Sequence, residues 1–150
     1  MNLQINITRL PHAADLPLPS YATSGAAGMD VHAAVDQALV VQPGSIALVP
    51  TGLVMAIPKG FECQVRSRSG LAARNGVFAL NAPGTIDSDY RGEVKVILAN
   101  ISGDPFTIER GSRIAQLVVA RHEQVEWRAV EAVDATERGS GGFGSTGVHP

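Results

Sequence analysis

The stretch Gly92-Glu93-Val94-Lys95-Val96-Ile97-Leu98-Ala99-Asn100-Ile101 decides the architecture. Val94, Val96 and Leu98 fall on one side of an extended chain, while Glu93 and Lys95 fall on the other. Alternation with a period of two is the signature of a strand with one face against a core. The same period runs through Gly60–Ser67, where Phe61, Cys63 and Val65 alternate with Glu62, Gln64 and Arg66. Further short runs of this kind are SIALVPTGLVMAIP (45–58), RIAQLVVARHE (113–123) and VEWRAV (125–130). Between the runs stand Pro-Gly at 43–44, Pro-Lys-Gly at 58–60, Pro-Gly at 83–84 and Ser-Gly-Asp-Pro at 102–105, all turn-forming chemistry. Many short strands with closely spaced turns predict an all-β sandwich, jelly roll or barrel. One brief helix is expected, with Ser69 capping GLAARNG and Gly76 closing it.

Composition narrows the functional classes. The 150 residues fit one domain with a real apolar core, since 45% of them are hydrophobic. A net charge of −2 provides no broad basic field, so no nucleic-acid partner is expected beyond a small nucleotide. No apolar run reaches the ~18 residues of a membrane span, and no secretory leader is visible, so no membrane partner is expected and the location is read as cytoplasmic. The single cysteine, Cys63, excludes an intramolecular disulfide, and the scattered histidines lack metal-ligand spacing. Cys63 and Trp127 read as core or interface residues, and the sequon Asn100-Ile101-Ser102 reads as a chance match.

Several segments carry polar groups with no obvious structural purpose. RGSGGFGSTG (138–147) has five glycines, three hydroxyls, Arg138 and Phe143. It resembles a phosphate-wrapping loop, yet it has neither the lysine nor the following helix of a P-loop. Arg66 and Arg68 flank two serines just before the expected helix, a place where anions gather. Asn81, Asp87, Asp89 and Tyr90 lie in a turn-rich hairpin and offer an amide for a base edge, a carboxylate to act on water, and a ring. Asp30 ends a glycine-rich turn and starts a strand. Arg113 reads as an ion-pair partner, and Gln116 needs something to bond within an apolar strand.

In their order along the chain, AGMDVHAA (27–34), RSRSGLA (66–72), GTIDSDYRGEV (84–94), RGSRIAQLV (110–118) and RGSGGFGSTG (138–147) resemble the five motifs of the homotrimeric dUTP diphosphatases. The resemblance implies a jelly-roll-like β fold with one short helix, divided into a catalytic domain at 1–135 and a glycine-rich arm at 136–150. It implies hydrolysis of dUTP to dUMP and pyrophosphate with Mg²⁺, which keeps uracil out of DNA and supplies dUMP for dTMP synthesis. It also implies a homotrimer whose sites lie between subunits, each closed by the C-terminal arm of a neighbour.

Roles follow for matching positions. Asp87 corresponds to the carboxylate that activates water against the α-phosphorus, with Gln116 and Ser69 completing the catalytic set. Arg68, Ser69 and Gly70 grip phosphates, while Asn81 and the hairpin backbone at Gly84, Thr85, Ile86 and Asp87 read the uracil edge. Tyr90 packs under deoxyribose and leaves no room for a 2′-hydroxyl. Asp30 supports the site through metal-bound water or the arginines. In the arm, Phe143 stacks over uracil beside Gly144, and Arg138, Ser145 and Thr146 hold the γ-phosphate end. No protein side chain is assigned to Mg²⁺ directly; it is expected to arrive on the phosphates with its waters. Ser67 stands where a proline is common, and Thr85 where an aliphatic residue is usual. The alternatives are a dCTP deaminase of the same fold, which would need a catalytic glutamate in the nucleotide pocket, and a nucleotide sensor that binds without turnover.

Overall fold

A computed structural model of the chain describes residues 3–145 and 147. Its elements are β1 (Asn6–Arg9), a 3₁₀ turn (Pro11–Ala13), β2 (Met29–His32), β3 (Leu39–Val41), β4 (Ile46–Ala56), β5 (Phe61–Arg66), α1 (Ser69–Asn75), β6 (Val77–Ala79), β7 (Gly84–Ile86), β8 (Val94–Asn100), β9 (Phe106–Ile108) and β10 (Arg113–Arg121). Strand β8 behaves as its alternation dictates. Val94, Val96 and Leu98 are almost wholly buried and Lys95 is exposed. Each such side chain withdrawn from water contributes about 1.5–3 kcal/mol.

The strands form two four-stranded antiparallel sheets, β1-β4-β8-β6 and β2-β10-β5-β7, with a two-stranded ribbon β3-β9 at the side. Val49, Met55, Val96 and Leu98 from the first sheet meet Val31, Cys63, Val65, Ile114 and Leu117 from the second in one apolar core. The arrangement is a jelly-roll-like β sandwich with one short helix. The ribbon is stitched to β8 by Asn100, 1% exposed. Its amide donates to the Val41 carbonyl at 2.9 Å and the Asp104 carbonyl at 2.8 Å, while its Oδ1 accepts from the Ser102 amide. The sequon asparagine is thus consumed inside the fold.

Three local expectations are corrected. Arg68, not Ser69, occupies the N-cap position of α1, and no side chain caps the helix; Ser69 is its first helical residue. The helix does end as foreseen, on Gly76 in the left-handed region at φ +62°. The run VEWRAV forms no strand, because no described strand of the chain lies beside it to accept a ladder. From Glu123 to Ser140 every residue is exposed. Trp127, at 90% exposure, is therefore no core residue of its own chain, whereas Cys63 is buried. Among the described residues no helix is long and apolar enough to cross a membrane.

Candidate functional site

The residues singled out above gather into three groups. The first lines a cavity of about 420 Å³ and contains Asn81, Gly84, Thr85, Ile86, Asp87 and Tyr90. Strand β7 pairs with β5 through Gly84↔Val65 and Cys63↔Ile86, which turns Ile86 into the core and leaves Asp87 exposed just beyond the strand end. A β-carbon on Gly84 would come within 3.0 Å of the Asn81 amide nitrogen, so glycine there is what lets Asn81 sit over the strand. Tyr90 folds back along its own hairpin, its hydroxyl donating to the Glu93 carbonyl at 3.0 Å.

The second group surrounds Asp30 on β2. Arg68 donates from Nε to Asp30 Oδ1 at 2.8 Å, and Arg113 reaches Oδ2 at 3.4 Å. Gln116, paired in register with Asp30, donates to the Ser67 carbonyl at 2.9 Å, while Ser67 Oγ accepts from the Ala79 amide at 3.0 Å. The serine standing where a proline is common thus ties the start of α1 to β6. Both anticipated needs are met here: Arg113 is an ion-pair partner, and Gln116 has its bond. His32, on the same strand, is pushed toward its neutral form, chiefly by burial; its Nδ1 is the one buried side-chain polar atom without a partner among the described residues. Ser69 is exposed and Gly70 half-buried at the first turn of α1.

The third group is the arm. Arg138 Nε donates to the Gly141 carbonyl at 2.8 Å, and successive turns are closed by Gly141 and Ser145 amides. Phe143 is fully exposed with φ +50°, a region that side-chain-bearing residues seldom adopt. Arg138, Phe143, Gly144 and Ser145 line a concavity of their own and take no part in the walls of the first cavity. Thr146 lies outside the described residues.

The chain by itself does not bring Asp87 and Gln116 together. Gln116 stands opposite Arg66 on β5, whereas Asp87 follows Ile86, which stands opposite Cys63. That offset is four residues along β5, or roughly 13 Å, with two strand spacings of about 4.8 Å across. Among the described residues no three His, Cys, Asp or Glu side chains cluster as metal ligands, and both Asp30 oxygens already accept from arginines.

Glu93 was given no role from the sequence, and the structure supplies one. The residue borders the first cavity, and its side chain, only 16% exposed, accepts from the Gly52 amide at 2.9 Å with His12 Nε2 at the same distance. The alternation Glu93-Val94-Lys95 identified the correct face, but the partners lie 41 and 81 residues away in sequence.

Comparison with known proteins agrees with the site's composition. The dUTPase family model matches residues 14–147. A deoxyuridine 5′-triphosphate nucleotidohydrolase of Anaplasma marginale is 56% identical over 97% of this chain and 99% of its own. One from Rhizobium leguminosarum is 58% identical over 96% of this chain and 94% of its own. In fold, a mutant dUTPase of Staphylococcus bacteriophage 80alpha, solved with dUpNHpp, superposes with a TM-score of 0.85 at 24% identity, covering 98% of this chain and all of that one. With its motif residues gathered on this sandwich and relatives matching over nearly the whole length, the chain belongs to the dUTPase family.

Proposed function

We propose that the protein hydrolyses dUTP to dUMP and pyrophosphate. The observation that carries this reading is the first cavity, where an amide (Asn81), strand backbone (84–86), a carboxylate (Asp87) and an aromatic ring (Tyr90) face one space. The strand edge and Asn81 offer donors and acceptors in a fixed pattern, which suits a planar base edge better than a phosphate. Tyr90 closes the sugar side, and a 2′-hydroxyl would have to displace it. Asp87 accepts a proton from the water that attacks the α-phosphorus. An exposed carboxylate is a weak base, so orientation of that water supplies much of the acceleration.

Arg68, with Ser69 and Gly70 at the start of α1, holds phosphate oxygens, and Gln116 orients the α-phosphate end. Asp30 fixes the two arginines rather than touching substrate. Mg²⁺, when bound on the triphosphate, spreads the charge of its oxygens; a site without a carboxylate cage suits an ion that keeps its waters.

The active assembly in this reading is a homotrimer. Two features support that. Asp87 and Gln116 lie too far apart in one protomer to act on one α-phosphate, and the stretch 123–140 exposes Val125, Trp127, Val130 and Val133 to no partner in its own chain. Residues 1–135 then form the catalytic body. Residues 136–150 form an arm that closes a neighbour's site, with Phe143 over the base and Arg138, Ser145 and Thr146 at the γ-phosphate.

The deciding experiment is pyrophosphate release with Mg²⁺ from dUTP, dTTP, dCTP and UTP in separate reactions. Release from dUTP alone is expected. Ammonia from dCTP would mean a deaminase, and dUTP binding without release would leave a sensor.

A further inference from the structure

The carboxylate of Glu93 is used by groups from two other parts of the chain. One is the Gly52 amide, at a bulge where the β4–β8 register shifts between Pro50 and Leu53. Gly52 has φ +66°, and a β-carbon on it would collide with that of Ala13, so only glycine places its amide there. The other is His12 Nε2, on the 3₁₀ turn that packs against the same bulge. The bulge is itself held, by the Leu10 amide on the Gly52 carbonyl at 2.7 Å and by Thr51 Oγ1 donating to the Val94 carbonyl at 2.6 Å. Lys95 Nζ approaches the second Glu93 oxygen only to 3.8 Å.

The backbone of Glu93 does a different job. Its carbonyl accepts the Tyr90 hydroxyl, and a β-carbon on Gly92 would overlap the Tyr90 ring, so the ring rests against this turn of backbone. The turn between Tyr90 and Val94 has no strand partner of its own until Val94 pairs with Leu53. The Glu93 side chain anchors it to β4 and to the N-terminal turn, beside the Arg91 bond to the Ser88 carbonyl and the Thr51 bond to the Val94 carbonyl.

We infer that Glu93, held by His12 and the Gly52 amide, is the positioning residue that sets Tyr90 against the sugar, so that discrimination between deoxyribose and ribose depends on a carboxylate that touches neither. The inference rests on the proposed reading of the cavity as the dUTP site and adds to it His12, which lies outside the five motifs, and Glu93, which lies in the third of them without an assigned role. Tyr90 is half-exposed and its ring has room to swing outward. Loosening the carbonyl that holds its hydroxyl opens the space a 2′-hydroxyl needs, without altering the groups that read the base.

The test is the ratio of kcat/KM for dUTP to that for UTP, measured well below the unfolding temperature. Glu93→Ala is expected to lower the ratio about tenfold, the scale of one charge-assisted hydrogen bond. Glu93→Gln, which still accepts from the Gly52 amide, is expected to recover most of that loss, and His12→Ala to show part of it. In a Tyr90→Phe background Glu93→Ala should change the ratio less than about twofold, because the link it works through is already cut. A wild-type ratio in Glu93→Ala, or an equal loss in the Tyr90→Phe background, overturns the inference while leaving dUTP hydrolysis intact. Should Glu93→Ala not fold, His12→Ala, at a third-exposed side chain, decides in the same way. A wild-type protein that hydrolyses dUTP and UTP alike removes the sugar reading and this inference together, and one that hydrolyses neither removes the proposed function itself.

Discussion

Gly28 and Gln116 share one space: a β-carbon on Gly28 would overlap the Gln116 side-chain oxygen and lie 3.1 Å from its Cδ. Gly28 precedes β2, whose Met29 and Asp30 pair with Leu117 and Gln116, so the missing side chain is what lets the Gln116 amide turn toward Ser67. Gly28→Ala is expected to push that amide aside with little cost to the fold, since the clash is with the end of a flexible side chain. If Gln116 orients the α-phosphate, a displacement of about 1 Å lowers kcat on the order of 100-fold. Steady-state kinetics beside a thermal melt checks this, and an unchanged kcat would separate the Gln116 amide from the chemistry.

Asp87→Asn keeps the volume and the hydrogen-bonding reach of the side chain while removing its capacity to take a proton. Turnover of dUTP is expected to fall by about 100-fold or more, the range of general-base contributions. Binding of a non-hydrolysable dUTP analogue, measured by calorimetry, is expected to stay close to wild type. Near-normal turnover in this variant removes Asp87 from the mechanism.

Truncation before Gly139 tests the arm. The hydrogen bonds of the arm's described residues run within it, so its loss is expected to leave the sandwich and its melting temperature unchanged. On the proposed reading most activity is expected to disappear, because the aromatic and hydroxyl groups proposed to close over the nucleotide are gone. A full rate from the shortened chain would make the arm dispensable.

Cys63 carries a pH prediction. Burial, and to a lesser degree the nearby Glu62, pushes its thiol up from 9.0 to about 11. A raised native value means the neutral thiol favours the fold. That contribution is complete below about pH 9 and is lost as pH climbs toward about 11. Chemical denaturation across this window should show declining stability, with a shallower decline in Cys63→Ala. A disulfide reagent at pH 8 should label the thiol only after unfolding; rapid labelling of the native protein would contradict its burial.

Legibility in the sequence followed the range of the interactions. The alternation of β5, β8 and β10, and most of β4, is written in consecutive residues, so these strands were readable. β3 and β9 have three residues each and pair 39–41 with 106–108, which no local period announces. The site divides in the same way. Asp87, Asn81 and Tyr90 were visible because the hairpin concentrates unusual polar groups within ten positions. Glu93 drew no notice because its partners, His12 and Gly52, are brought in only by the fold. The strand expected over VEWRAV is absent for the opposite reason. The residues around Trp127 alternate like a strand, yet the described residues contain no neighbour for it.

The bare extension beyond β10 has a practical consequence. A backbone with no ladder and no cover is what the cleft of a protease accepts, and Arg128 lies along it exposed, while Arg9 and Arg68 are tied by side-chain hydrogen bonds to Leu16 and Asp30 in the folded body. Trypsin should therefore cut an isolated chain there first and leave the sandwich whole. The lifetime of that one segment then works as a clock: the slower it is nicked as protein concentration or nucleotide rises, the more of it something else has covered.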